Sequence, residues 1–430
     1  MSVFLDGALP HVGDLSHAET RRCGEFFSRK ERKDHKAGGP TSVSATIDRP
    51  GWKRVTLGEL VNNNTISMGR GNVISKESIA SSPGEYPVFS SSATGDGIIG
   101  YYSKFMFDDE RISWSIDGGG RFFYHPKSRY SVTNVSGWIK VNNPVEITTR
   151  FLYIALDAEW QKKHFDYQTK AHPSVIEKEY SISYPTLDEQ NEISNAIDSI
   201  DTHIAALQSL IAKYEAIKKA TVNLLLKPKA GWNKIRLADF ESHRNNTCSR
   251  SLTSSSKGNV HNIHYGDLLV NFGEIVSMKY DHVDCLSEEG EACSPKDYLQ
   301  DGDIVIADTA EDETAGKVIE VQDVEGQQAV AGLHTVFLRP PSNLFARGWL
   351  GYWMNSRFYH DQLLPYMTGI KVLSLSKSSI ANTEICYPAM EKQKHIVGIL
   401  KSIDTHIATL QAQACKARQL KDGMMSYFFG

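Results

Sequence analysis

Along the stretch that follows Tyr184, the apolar residues step by four, three, four and three: Ile193, Ile197, Ile200, Ile204, Leu207, Ile211 and Tyr214. That spacing predicts a long amphipathic helix whose apolar stripe follows a heptad. The same phase returns after Tyr387, at Ile396, Leu400, Ile403, Ile407, Leu410, Ala414 and Ala417, and then at Met424 and Phe428. The two stretches align without a gap at an offset of 203 residues, and SIDTHIA recurs letter for letter at 199–205 and 402–408. Seven consecutive identities at one offset establish a duplication. Thr186 and Glu189 have capping-box spacing at the first helix start, and Lys227-Pro228 stops that helix; the second copy carries Ala389 and Lys392 instead and needs another cap. Helices of about 39 residues would each be about 58 Å long. Matched seams separated by a domain-sized segment predict that the chain returns and pairs the two helices as an antiparallel coiled coil.

The remaining sequence alternates short β-rich runs with Gly, Ser and Asn turns. In 51–183, YPVFSSSATGDGIIGYYSKFMF and RISWSIDGGGRFFYH read as strands and loops, with RFLYIALDAEWQKKHF as one substantial helix. In 230–386, GDLLVNFGEIVSM and GDIVIADTAE read as strands, with ARGWLGYWMNSRFYHDQLL as the helix. GWKRVTLGEL from Gly51 echoes GWNKIRLADF from Gly231. The predicted fold class is therefore α/β, in the mixed α+β sense. It has an N-terminal arm over 1–50, a globular domain over 51–183, a helix over 184–229, a second globular domain over 230–386 and a helix over 387–430.

Composition alters this picture only at a few points. Hydrophobic residues are 40% and charged residues 23% of 430, an ordinary globular balance. No apolar run is long enough for a membrane span and no signal peptide opens the chain, which predicts a cytoplasmic protein. The six cysteines include no CxxC pair, against a zinc ribbon or redox motif. The net charge of −4 means that any nucleic-acid surface must be local. The two globular segments differ: 51–183 carries 15 basic against 14 acidic residues, a balance of +1, whereas 230–386 carries 13 against 21, a balance of −8.

The order of globular unit, long helix, globular unit and repeated long helix resembles the specificity (S) subunit of type I restriction-modification enzymes. YPTLDEQNEI and YPAMEKQKHI look like that family's Pro-Leu-x-x-Gln-x-x-Ile boundary between a target-recognition domain and a conserved spacer helix. GDGIIGYY, GDIVIADTAEDETAGK, AVAGLHTVFLRP and TGIKVLSLSKSSI also look like family segments. Met390 and Lys392 depart from the family's usual Leu and Glu, and the first fifty residues have no clear counterpart. The resemblance implies a non-catalytic DNA reader: two target-recognition domains, each reading one half of a bipartite, asymmetric double-stranded target, held apart by the helices. It implies two methyltransferase subunits docked on those helices and two motor-nuclease subunits beside them, with S-adenosylmethionine, ATP and magnesium on the partners and no cofactor or metal in this chain.

Enzymatic alternatives find little support. NPPY or DPPY, GxxxxGK[ST] and HExxH are all absent. Asp308, Glu311, Asp312 and Glu313 near Lys317 could in principle organise magnesium for a nuclease, but a solvated loop is the simpler reading. His261 and His264, spaced as HxxH, lie in a strand-like context that would point them to opposite faces. Three glycines in SIDGGGRFFY suit a hairpin loop better than a phosphate cradle. DNA reading calls for Arg, Lys and polar side chains on exposed loops. The candidates are Arg70, Thr94, Arg121, Tyr124, Lys170 and His172 in the first unit, and Arg250, Lys257, Lys317, Lys371 and Lys377 in the second. Lys170 in QTKAHPS and Lys371 in TGIKVLSLS stand at equivalent places before the helix starts and form the favoured pair. The alternative from another class is a two-domain protein-interaction scaffold without DNA binding.

Overall fold

The structure, a computed structural model, describes residues 49–91, 97–117, 119–163, 171–243, 248–254, 258–287 and 297–430. Among these, one compact unit comprises the chain up to Ala205 together with Ala417–Gly430, and the other comprises Ala206–Lys416. Both long helices form as the heptads predict, over Leu187–Leu225 and Met390–Phe429. Each contributes to both units.

In the first unit, an antiparallel sheet orders Ile66–Arg70, Ser136–Val141, Arg111–Ser115 and Phe122–His125. A smaller sheet orders Ile98–Tyr102, Pro83–Phe89 and Ser131–Val132. The strands on either side of the glycine-rich run pair antiparallel, as the hairpin reading requires. The expected helix runs Thr149–Lys162, started by the Thr148 hydroxyl, which accepts from the Phe151 amide. It lays Phe151, Leu152 and Ala155 against Trp114, Phe122 and Ile139.

The second unit is built around a five-stranded sheet ordered Glu241–His243, Thr335–Arg339, Ile304–Ala307, Val318–Gln322 and Ile275–Ser277. Strands Ile304–Ala307 and Val318–Gln322 are buried at every position, the first as a continuous apolar run and the second with Glu320 and Gln322 among its buried residues. The single helix expected from ARGWLGYWMNSRFYHDQLL is instead two, Trp349–Met354 and Arg357–Leu363. Asn355 explains the break: its side-chain amide accepts from the Val318 amide (3.0 Å) and donates to the Val318 carbonyl (2.7 Å), serving a strand instead of continuing the helix.

The two units attach their long helices in the same way. Lys53–Thr56 pairs with Ser181–Tyr184, and Asn233–Arg236 pairs with Glu384–Tyr387, so the GW-containing echo marks the strand that flanks each helix start. Trp52 then packs on Phe151, and Trp232 on Trp349 and Trp353. One buried glutamine completes each junction. Gln190 donates to the Glu146 and Pro185 carbonyls (2.9 and 3.0 Å) and accepts from the Thr148 amide (3.0 Å). Its duplicate Gln393 donates to the Leu344 and Pro388 carbonyls (3.2 and 2.9 Å) and accepts from the Ala346 amide (2.8 Å). At the first start, Thr186 also donates its amide and hydroxyl to Glu189, whereas Gln393 gives the second start the side-chain anchor that Ala389 lacks.

The seam divides its labour in a way the heptad pattern does not reveal. Ile193 and Ile197 are buried in the first globular core, and Ile396 and Leu400 in the second. Leu207, Ile211 and Tyr214 form a separate cluster with Leu410 and Ala414 of the other helix. Ile204 and Ile407 are buried, while Ile200 and Ile403 are only half-buried and are weaker anchors than their heptad positions suggest. In the second unit, Tyr214 packs on His406 and Lys218 pairs with Asp404 (2.7 Å), so rising numbers on one helix meet falling numbers on the other. In the first, Lys421 pairs with Asp201 (2.6 Å), and Met424 and Phe428 pack on the core holding Ile197 and Ile193. The helices are antiparallel within each unit. The offset of 203 carries Asp201 onto Asp404 and Lys218 onto Lys421, so the aspartate of SIDTHIA takes its lysine from the opposite helix in both places. Lys218 also reaches Glu274 (2.7 Å), and Tyr352 donates to Asp404 (2.6 Å). Burial alone would depress the Lys218 ammonium, but Glu274 and Asp404 outweigh it and hold its pKa above the usual lysine range.

Two measurements test this account. Gln190→Ala and Gln393→Ala each strand a backbone N–H and should destabilise their units by about 2 kcal/mol in urea unfolding, against less than about 0.5 kcal/mol for exposed Glu192→Ala. His125, buried between Phe89 and Tyr130 with its Nε2 2.7 Å from the Ser113 hydroxyl, is pushed by burial down to about 4. The unfolded chain therefore takes up a proton near pH 6.5 that the folded first unit refuses. Stability should fall by about 3 kcal/mol as pH drops from 6.5 to 4, and His125→Gln should flatten that slope in denaturant titrations.

Candidate nucleic-acid interface

Strand ends and turns of each unit carry the polar side chains singled out from sequence. In the first unit, exposed Arg70 ends a strand and donates through Nε and Nη2 to the Asn134 carbonyl (3.2 and 2.8 Å). Arg121 leaves the glycine turn with its guanidinium 5.2 Å from the Phe123 ring. His172 starts the short helix Pro173–Glu179, half-buried and without a side-chain cap bond. Tyr124 is half-buried, and its polar end is already engaged. Its hydroxyl donates to Glu110, and Arg150, paired with Asp198 of the long helix, lies 4.6 Å from its ring. Burial and then Glu110 raise its pKa far above the usual phenol value. Thr94 and Lys170 lie outside the described residues.

In the second unit, exposed Arg250 pairs with Asp267 (3.0 Å) at the start of the helix Tyr265–Val270. Lys317 is also turned inward. Its ammonium donates to the Leu269 and Phe272 carbonyls (3.0 and 2.8 Å), closing the end of that helix. Lys371 and Lys377 are exposed, one in a tight hairpin and the other opening the helix Lys377–Ala381. Lys257 lies outside the described residues. The favoured pair thus reduces to Lys371 among described residues.

The structure also brings together a surface that the sequence reading passed over. Arg129 donates to the Tyr86 hydroxyl (3.2 Å) and lies 5.0 Å from the Phe105 ring, and Tyr86 and Phe105 meet edge to face at 5.1 Å. Tyr101, Lys104 and Lys127, near in sequence to these residues, are exposed. The signal was present in YYSKF and HPKSRY, where basic and aromatic residues interleave.

No catalytic constellation forms from the acidic run. Asp308 accepts from Thr309 (2.8 Å), and Asp312 accepts from the Thr314 amide (2.9 Å), whose bonds lower its pKa. Lys317 points to backbone carbonyls instead of toward them. His261 faces the Val283 carbonyl (2.9 Å), and His264 accepts from the Gly266 amide (3.2 Å). Among the described residues, no three of His, Cys, Asp and Glu converge as metal ligands, and no helix is long and apolar enough to cross a membrane.

Comparison with known proteins places these features. Residues 50–216 match the family model of the type I restriction modification DNA specificity domain. The type I restriction enzyme MpnII specificity subunit of Mycoplasma pneumoniae (strain ATCC 29342 / M129 / Subtype 1) is 31% identical over 131 residues, which are 30% of this chain and 39% of that protein. S.MpnORF201P of the same strain is also 31% identical over 131 residues, 30% of this chain and 54% of its own length. The chain thus spans about half the length, or less, of these curated relatives. The crystal structure of a type I restriction-modification system S subunit from M. genitalium superposes with a TM-score of 0.57 at 15% identity, covering 91% of this chain and 98% of that one, a likeness of fold. The matched segment runs from the first strand that flanks a helix start into the duplicated helix itself, and over that segment the chain is similar to type I restriction-modification specificity subunits.

Proposed function

We propose that this chain is the DNA-recognition subunit of a type I restriction-modification complex, with each globular unit reading one half of a bipartite, asymmetric double-stranded target. The duplicated helices act as an antiparallel coiled coil that sets the spacing and docks two methyltransferase subunits, with two motor-nuclease subunits completing the restriction enzyme in the cytoplasm. S-adenosylmethionine, ATP and magnesium belong to those partners, and this chain performs no chemistry of its own. The observation that carries the reading is the asymmetry of the duplication. Gln190 and Gln393, Asp201 and Asp404, and Lys218 and Lys421 keep identity and bonding across 203 residues, whereas the globular surfaces diverge, +1 against −8. A scaffold that must present the same spacing and docking face twice holds those residues fixed, while readers of different bases are free to differ.

The test is domain exchange. The chain co-expressed with its methyltransferase partner should methylate adenines in one asymmetric target. Replacing 230–386 by the matching segment of a relative should change one half of that target and leave the other half and the spacing intact. A symmetric target, or a change in both halves, would refute two independent readers. The chain purified alone should neither methylate nor cleave DNA; activity that persists without partners and is lost on Asp312→Ala would restore the nuclease reading.

A further inference from the structure

The most exposed large apolar residue of the described chain is Ile370, with 101% of its reference surface open to water. It stands at the tip of a hairpin whose arms close through the Thr368 and Ser374 backbones, each amide donating to the other's carbonyl (3.1 and 2.8 Å). The returning arm is locked to the body of the second unit: Thr309 pairs with Ser374 and Ala310 with Leu373, and the Leu375 amide donates to the Asp308 carbonyl (2.8 Å). Gly369 takes φ 135°, and a Cβ there would lie 1.8 Å from the Val372 carbonyl oxygen. Only glycine lets the chain turn this tightly. The backbone is therefore fixed in a shape whose one evident effect is to project Ile370 and its exposed neighbour Lys371, with Val372 and Tyr366 partly exposed beside them.

A fully hydrated isoleucine on a rigid ribbon loses nothing in preorganisation when a partner covers it. The flanking lysine favours an anionic partner, and the narrow two-stranded ribbon is a shape that the major groove of duplex DNA admits. We infer that the Gly369–Val372 tip enters the major groove of the half-site read by the second unit, where Ile370 packs on a thymine methyl and Lys371 contacts an adjacent phosphate. This rests on the DNA-recognition reading and adds to it a residue that reads a base without a hydrogen bond.

The experiment uses the chain assembled with its methyltransferase partner and the duplex identified by methylation mapping, with each thymine replaced in turn by deoxyuridine. The expected result is one position, in the half-site assigned to the second unit, where loss of the methyl weakens wild-type binding about fourfold, the worth of one buried methyl. Ile370→Ala should bind the unmodified duplex at least as weakly and show no further loss at that position. Because Ile370 makes no core contact, the variant should fold and co-purify with its partner as wild type does. Lys371→Ala should lower the slope of log affinity against log salt by about 1. The inference is overturned if Ile370→Ala binds like wild type, if no thymine in that half-site is sensitive, or if Ile370→Ala loses the methyltransferase subunit, which would make the tip a protein contact. A wild-type assembly that binds and methylates no specific sequence would instead overturn the DNA-recognition reading on which the inference stands.

Discussion

A buried glutamine at the first turn of each long helix is the joint on which the rest of the structure depends. Gln190 and Gln393 each satisfy two carbonyls and one amide, drawn from the turn before the helix and from the loop leading to the neighbouring helical segment. Both side chains are almost fully buried, so nothing but those backbone groups can pair with them, and the loops can close only around them. A glutamate there would bring charge into the core, and a leucine would leave three backbone groups without partners. The glutamine therefore fixes the angle at which a long rod leaves a globular body, and it does so twice with the same chemistry.

From that joint the apolar seam follows. Because the first turns of each helix must cover a globular core, Ile193, Ile197, Ile396 and Leu400 serve that core, where the end of the other helix also packs, and a separate helix-to-helix cluster forms beyond them. Polar clamps then align the pair. Lys218 with Asp404 and Lys421 with Asp201 are each partly buried, where an ion pair is screened less than at the surface. A shift by one turn would leave the lysine of either clamp without its carboxylate. Register is thus encoded by charge at positions where the aliphatic seam alone would tolerate slippage.

Much of this was legible in the sequence because it repeats. Offset identity exposed the helices, their lengths and the equivalence of GWKRVT with GWNKIR. The heptad pattern could not say which seam residues face a core and which face a helix, since both environments ask for the same aliphatic side chain. Asn355 broke a helix that apolar spacing alone had joined, because its amide pairs with Val318, 37 residues earlier in the chain. The candidate interface was less legible. Lys317 and Tyr124 sit in segments that look like loops, yet both polar ends turn inward, to helix-end carbonyls and to Glu110. Single-residue chemistry says what a side chain can bond, and only the fold says whether a bond is already made.

The same distinction shapes how the acidic segment 230–386 would carry the proposed DNA-reading role. Three arginines of the second unit are committed to its own carboxylates: Arg339 to Asp303, Arg347 to Asp301 and Asp323, and Arg250 to Asp267. Arginine is the side chain best suited to clamp phosphate, and here it is spent on holding strands and loops in place. With those groups engaged and a balance of −8 over 230–386, that globular segment offers a duplex little long-range attraction. In the proposed DNA-reading role, its contribution is local, through a few exposed side chains on a rigid frame that discriminate between bases once the duplex is held. Phosphate neutralisation would then come from elsewhere in the proposed assembly. On that proposal, affinity is a property of the complex and sequence choice is left to the loops of this chain.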